Sequence, residues 1–144
     1  MIEGINEEWE VDSKIDRNKL NEEILRSSNL HQKYLTMLMT AKSRIIKYDA
    51  EMKTLRWNKF QWYKGRSTRE ELEYLGWKQY QGLKPSSTEM NFVLDNDPDI
   101  VKIQTKIDLY KTVIGQLESI LVQIKNRDWT IKNYIEWQKF QAGG

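Results

Sequence analysis

The chain of 144 residues is 39% hydrophobic and 31% charged, with a net charge of +2 at pH 7. No apolar run approaches the about 20 residues of a membrane-spanning helix, and the acidic start of the chain lacks the layout of a secretory signal. With no cysteine and a single histidine, the sequence excludes disulfides, thiolate zinc sites, cysteine nucleophiles and paired histidine ligands. We therefore expect one cytosolic domain with its own core and without a metal or cofactor.

The small net charge conceals a strong segregation along the chain. Residues 1–28 carry a net charge of −4, residues 29–69 one of +8, residues 70–100 one of −5 and residues 101–144 one of +3. A positive potential concentrated on one segment favours a localised anionic partner.

Residues 1–17 are predicted to form an acidic N-terminal arm. The first dozen residues are polar, with isolated Ile2, Ile5 and Trp9. Such an arm either shields the basic segment or docks on another protein, and a frayed terminus is an equally good interpretation.

A long helix is predicted over residues 18–63, at the start of a middle segment that extends to residue 99. Apolar side chains recur there in alternating steps of four and three residues, and neither proline nor glycine interrupts the chain from Val11 to Lys64. At 1.5 Å per residue this helix is about 69 Å long. A helix of that length needs a second helix along it, supplied by the same chain or by another.

The far end of this helix, residues 53–66, is the candidate functional segment. It holds five basic and four aromatic residues, and no acid lies between Glu51 and Glu70. Lysine and arginine attract phosphates, and aromatic rings stack on unpaired bases, so the mixture is typical of a single-strand nucleic-acid binder. Trp62 continues the apolar stripe and is assigned to packing. The candidate contacts are Lys53, Arg56, Trp57, Lys59, Phe60, Tyr63, Lys64 and Arg66.

Gly65 is predicted to end the long helix. Ser67 and Thr68 stand three residues before Glu70 and Glu71, a capping-box pattern that predicts a short helix closing at Gly76. Residues 77–95 are interpreted as an irregular loop. Within this loop, the Phe92-Val93-Leu94 run is either a short strand or an anchor onto a helix.

A second long helix is predicted to begin at Asp97-Pro98-Asp99, with Asp97 as N-cap and Pro98 at the first helical position. Residues 100–144 form the C-terminal segment. Apolar residues cover more than one face of this segment, which predicts packing on the first helix and on other subunits.

The spacing of the apolar residues is interrupted near Asn126-Arg127-Asp128, so a separate final helix is expected over residues 129–141. The candidate oligomerisation residues are Ile114, Leu117, Leu121, Ile124, Trp129, Ile131, Ile135 and Trp137.

Motifs for catalysis are absent from the sequence. There is no GxxxxGK[ST] loop and no GxGxxG. The alternating Asp95, Asp97 and Asp99 do not begin an EF-hand, because Ile100 and Lys106 stand where glycine and glutamate are required. We interpret the chain as a binding protein and not as an enzyme.

Several short motifs occur in a distinctive order and spacing over most of the chain. They are WEVDSKID with Lys19-Leu20, LHQKYL (30–35), WYKGR (62–66), Val93-Leu94 with the aspartates that lead to Lys102, Asn126-Arg127, IKN (131–133) and FQAG (140–143). In these motifs the sequence resembles the UvsY family of recombination mediators from T-even-like bacteriophages.

This resemblance implies a non-enzymatic protein of the host cytoplasm that binds single-stranded DNA and forms a ring, with a heptamer expected. It also implies that the protein helps a RecA-like recombinase, UvsX, to displace the phage single-stranded-DNA-binding protein and nucleate a filament. The family's DNA-contacting run, Leu-Lys-Ala-Arg, corresponds here to a stretch in which Lys59 stands at the arginine and Trp57 at the lysine, with Arg56 beside it. The C-terminal helices would be the oligomerisation elements.

The expected fold is therefore mainly α: a long, coiled-coil-like helical hairpin with short C-terminal oligomerisation helices, in a ring-forming homo-oligomer. The alternative function is a helical scaffold or adaptor whose basic segment binds an acidic protein surface, because electrostatics alone does not separate the two.

Overall fold

The computed structural model describes residues 2–143, and those residues are mainly helical without a β-strand. The helices are α1 (Ile2–Asp12), α2 (Leu20–Tyr63), α3 (Arg69–Leu75), α4 (Met90–Asp95) and α5 (Pro98–Gln141). Within the described residues, no helix is both long enough and apolar enough to cross a membrane.

The chain forms two compact units, and their boundaries fall inside the long helices. The first unit combines the chain up to Ser43 with the chain from Tyr110 onwards, and the second is Arg44–Leu109. In each unit, one part of α2 packs against one part of α5. The helix pairing predicted from the apolar stripes is therefore made within a single chain.

The first unit has a core shared by three helices. Tyr34 and Leu38 of α2 pack with Leu117 and Ile124 of α5, and Ile5 of α1 is buried among them. The prediction of a frayed terminus is therefore wrong: α1 is a packed helix.

Polar contacts also hold α1 in place. The Trp9 indole N–H donates to Gln123 at 2.8 Å, and its ring meets the Tyr34 ring edge-on at 5.4 Å. Asp12 accepts hydrogen bonds from Lys33 at 2.6 Å and from the Tyr34 hydroxyl at 2.9 Å. Burial by itself would raise the pKa of Asp12, but these bonds and the nearby positive charges hold that pKa below its ordinary value.

The predicted break near residues 126–128 does not exist, because α5 runs unbroken to Gln141. The polar interruption is an inward-facing arginine: Arg127 is buried, donates to Ser27 Oγ at 3.0 Å and to the Lys14 carbonyl at 3.3 Å, and pairs with Glu23. Because α2 supplies partners for the guanidinium, the helix continues through the gap in the apolar stripe.

The second unit contains the turns and short helices between α2 and α5. Gly65 takes a positive φ of 69° just after α2, as predicted. Thr68 caps α3 in a capping box with Glu71, and Gly76 closes the helix with a φ of 71°. At the start of α5, Asp97 Oδ1 accepts from the backbone N–H groups of Asp99 and Ile100 at 2.9 and 3.3 Å. The N-cap prediction is confirmed.

The loop expected over residues 77–95 ends earlier than predicted, since α4 occupies Met90–Asp95. Met90 and Leu94 are buried whereas Phe92 is 72% exposed. In a strand these three side chains would share one face, so the burial follows the helical period. The strand alternative for Phe92-Val93-Leu94 is therefore wrong.

Candidate nucleic-acid interface

The last turns of α2 and the helix α4 enclose an open groove of about 470 Å³ in the second unit, which we call the basic-aromatic groove. Two elements line it. From α2 and the residue that follows it come Lys53, Arg56, Trp57, Phe60 and Lys64, and from α4 with its preceding turn come Ser87, Met90, Asn91 and Leu94. The structure thus brings together five of the eight predicted contact residues.

Residues 53, 57 and 60 share one face of α2 because they are spaced by four and three residues, and Lys64 follows four residues later in the turn after α2. Phe60 packs against the buried side chains of Met90 and Leu94, which belong to a small apolar cluster of this unit. This packing fixes α4 beside α2 and keeps the groove open between them. The groove's floor is apolar, and its cations lie at the edges.

The aromatic surface of the groove is flat and accessible. Trp57 is 61% exposed and stacks on Phe60 with ring centroids 5.8 Å apart and planes 19° apart. Lys64 Nζ lies 5.7 Å from the Phe60 ring centre, and Lys53 is exposed. An indole with a free face beside ammonium groups suits an unpaired base with its phosphate.

Arg56 lies at the edge of the groove, where α4 holds it. Its guanidinium donates to Asp95 Oδ1 at 2.8 Å and to Asn91 Oδ1 at 3.3 Å. Asp95 is the last residue of α4 and is 62% exposed at its side chain. Two residues that are one helical turn apart on α4 thus hold the arginine at the edge of the groove.

Lys59 faces the interior and not the groove. It is 6% exposed, and its Nζ lies 2.8 Å from Asp99 Oδ2 and 3.3 Å from Asp97 Oδ2. The same ammonium lies 4.8 Å from the Trp62 ring and 4.5 Å from the Trp77 ring. Its charge is already neutralised within the unit, so Lys59 is excluded from the proposed contacts.

Tyr63 belongs to the same interior network. Its hydroxyl donates to Asp97 Oδ2 at 2.7 Å, and its ring contacts the rings of Trp62 and Tyr80, each at 4.9 Å. Burial first, and then the hydrogen bond to Asp97, raise the pKa of Tyr63. Burial alone would raise the pKa of Asp97, but the bond from Tyr63 and the charge of Lys59 hold it below its ordinary value. Tyr63 is a structural residue here.

Trp62 is also part of this network, as its place in the apolar stripe predicts. Its indole N–H donates to the Lys78 carbonyl at 2.7 Å, and its ring packs against Trp77 and Tyr80. The loop after α3 is thereby attached to the end of α2.

Arg66 is exposed in the turn after α2 and does not line the groove. The Lys84 side chain crosses this turn close enough to Gly65 that an added Cβ would lie 3.0 Å from Lys84 Cε. The exposed cations therefore extend beyond the groove into the turn. In the described part of the chain, no cluster of His, Asp or Glu side chains is able to hold a metal ion.

The wall that α4 contributes to the groove was not predicted from the sequence. Ser86 and Glu89 have the spacing of a capping box, and the Glu89 N–H lies 3.3 Å from Ser86 Oγ. That pattern was the available signal for a helix at this point. Nothing in the sequence places Lys84 beside Gly65.

The predicted oligomerisation residues divide into two groups. Leu117, Ile124 and Ile131 are at most 2% exposed, and Ile114 and Leu121 pack against the same core. Burial within the chain excludes the first three from a subunit contact in this structure. Ile135 is half-buried.

The other group is exposed. Trp129 is 69% and Trp137 is 57% exposed, and Val122 on the same helix is 59% exposed. Trp137 stacks on Phe140 with ring centroids 5.8 Å apart. The aromatic part of the apolar surface of α5 that is available to another molecule therefore lies near the end of the helix.

On a helical scaffold, cations around an exposed aromatic face are the combination with which proteins that bind single-stranded nucleic acids hold phosphates and unpaired bases. Comparison with known proteins identifies the family. A family model described as "Recombination, repair and ssDNA binding protein UvsY" matches residues 8–144. The chain belongs to the UvsY family.

The relatives agree with this assignment over the whole chain. The recombination protein UvsY of Enterobacteria phage T4 is 26% identical over 142 residues, which are 99% of this chain and 98% of the relative. A crystal structure of the bacteriophage T4 recombination mediator protein UvsY matches with a TM-score of 0.84 at 25% identity, covering 99% of this chain and 98% of that one. A second crystal lattice of that protein matches with a TM-score of 0.82 at 23% identity, covering 97% and 98%. The mainly helical fold is confirmed.

Proposed function

We propose that this protein is a recombination mediator that binds single-stranded DNA in the basic-aromatic groove. The observation that carries the proposal is the exposed face of Trp57 between Lys53 and Lys64, over a floor too apolar for a purely electrostatic contact. Bases stack on the indole, and the lysines neutralise the phosphates on either side. The protein then transfers the bound strand to a UvsX-like recombinase in the host cytoplasm. The recombinase thereby replaces the phage single-stranded-DNA-binding protein on that strand.

One groove of this size holds only one or two nucleotides, so the proposal requires several grooves on one strand. A ring of subunits, with a heptamer as the expected form, presents the grooves together. Linked sites convert modest single contacts into a high overall affinity. A strand drawn over many grooves is extended and unpaired, which is the form a recombinase filament needs.

A salt titration tests the electrostatic part of the proposal. The Lys53→Ala, Lys64→Ala double variant is expected to flatten the dependence of log affinity on log salt by about 0.7 for each phosphate that is no longer neutralised. The measurement is equilibrium binding of fluorescent oligothymidine, with a duplex of equal length beside it. The wild-type protein should prefer the single strand.

The matched control is the Lys78→Ala, Lys102→Ala double variant, which removes two exposed lysines of the same unit that do not line the groove. An equal flattening in both double variants would show that net charge, and not the groove, governs binding. Absence of binding at low salt would favour the scaffold alternative, in which the basic segment meets an acidic protein.

We further propose that the exposed aromatic surface of α5 joins the subunits. Aromatic residues on a terminal helix supply the buried, well-packed anchors of many interfaces. Because Leu117, Ile124 and Ile131 fill the chain's own core, the contact residues we propose are Trp129 and Trp137.

The Trp129→Ser, Trp137→Ser double variant is expected to lower the assembly mass measured by sedimentation velocity, because it removes two apolar anchors while leaving the core untouched. Far-UV circular dichroism should show unchanged helix content. The control is Tyr74→Ser, which removes an aromatic side chain that is 90% exposed on α3. An undiminished mass for the tryptophan variant would contradict this interface.

A further inference from the structure

We infer that Arg56 and Asn91 form a phosphate subsite at the edge of the basic-aromatic groove, and that the Asp95 carboxylate holds this subsite until a backbone phosphate of single-stranded DNA displaces it. The inference rests on the proposed function. It assigns to Asp95 the role of a built-in competitor that sets how tightly the groove holds a strand.

The geometry places the arginine between two acceptors. Arg56 lines the basic-aromatic groove and also a second depression to which Asp95 belongs. One guanidinium nitrogen reaches Asp95 Oδ1 at 2.8 Å, and the other reaches Asn91 Oδ1 at 3.3 Å. A small rotation of the arginine side chain therefore turns its fork from the carboxylate toward the groove.

The chemistry makes the exchange possible. Guanidinium forks bind carboxylate and phosphate oxygens in the same planar, charge-assisted way. Because the Asn91 carbonyl oxygen accepts from Arg56, its NH₂ group is left to donate to a second phosphate oxygen. The subsite thus offers donors from two elements to one anion.

Because the ion pair between Arg56 and Asp95 is exposed, breaking it costs little free energy, whereas breaking the buried pair between Lys59 and Asp97 costs much more. The side chains of Arg56 and Asp95 are 36% and 62% exposed, and ion pairs at such positions contribute little to stability. The side chains of Lys59 and Asp97 are 8% and 1% exposed, so breaking that pair would leave a buried charge. The structure therefore separates an exchangeable pair at the groove from a fixed pair in the interior.

Removing the competitor should strengthen DNA binding. Asp95→Asn is expected to raise the affinity for a short oligothymidine by about two- to fivefold, since a phosphate no longer displaces a charged partner. In an Arg56→Gln background the same substitution should have no effect, because the group for which both anions compete is gone. Binding is measured by fluorescence anisotropy at constant ionic strength for the wild type and the variants.

The control is Glu73→Gln, which removes the same charge from an exposed ion pair with Arg69 on α3, away from the groove. An increase no larger than that of Glu73→Gln, or one that persists without Arg56, would overturn the inference. Trp57→Ala in the same series distinguishes the two failures. If it leaves binding unchanged, the groove is not the DNA site; if it weakens binding while Asp95→Asn does nothing, only the role of Asp95 is wrong.

Discussion

Trp57→Ala is expected to weaken the binding of oligothymidine by about tenfold, because stacking of one base on an aromatic side chain is worth about 1–3 kcal/mol. The indole is the most exposed flat surface of the basic-aromatic groove, and Phe60 behind it holds its orientation. Quenching of tryptophan fluorescence by oligothymidine should fall in parallel. A long strand contacts several subunits, so the loss of affinity at each groove is multiplied. A short oligonucleotide therefore measures the effect at a single groove more directly.

Two variants make this result specific. Trp57→Phe keeps an aromatic face and should retain most of the affinity. Tyr74→Ala removes a ring that is even more exposed and lies outside the groove, and it should leave binding unchanged. A Trp57→Ala protein that binds like the wild type would contradict the proposed site, whatever its salt dependence.

Asp97→Ala is expected to lower the free energy of unfolding by about 3–5 kcal/mol, because it removes the buried one of the two carboxylates that pair with the buried Lys59 ammonium. The carboxylate also accepts from Tyr63 and caps α5 through two backbone N–H groups. Urea unfolding followed by circular dichroism measures the change, at one protein concentration, since oligomerisation contributes to apparent stability.

Two further substitutions separate the parts of this effect. Asp97→Asn keeps an oxygen for the helix cap and should lose less than Asp97→Ala. Asp99→Ala removes the other carboxylate near Lys59, but that side chain is 57% exposed, so its loss should cost less than about 1 kcal/mol. Equal losses for Asp97→Ala and Asp99→Ala would show that the interior pair does not hold α2 and α5 together in this unit.

Lys59 was predicted to contact DNA, although its position in the helical period already indicated an inward side chain. Counting steps of four and three residues along α2 places position 59 in the apolar stripe with Leu55 and Trp62, which predicts an inward direction. Its charge nevertheless suggested a phosphate contact. A lysine on a buried stripe requires an acidic partner, and Asp97 and Asp99 are supplied by another helix almost forty residues later.

The C-terminal residues show a related error. The sequence indicated that α5 is apolar on more than one face, and the faces are indeed occupied differently: Leu117 and Ile131 face the core, while Trp129 and Trp137 face outward. Periodicity identifies the faces but not which of them the chain itself covers. Only the positions of α1 and α2 decide that.

From the sequence alone it was possible to predict α2, the start of α5 with its Asp97 cap, the glycine that ends α2 and the basic-aromatic composition of residues 53–66. These depend on local rules, namely helical period, capping chemistry and φ preference. Three features become visible only in the packed structure: α4 forms the second wall of the groove, the buried Lys59 pairs with Asp97, and Asp95 pairs with Arg56. Each of these pairs side chains that are distant along the chain, and their contact depends on how the helices pack.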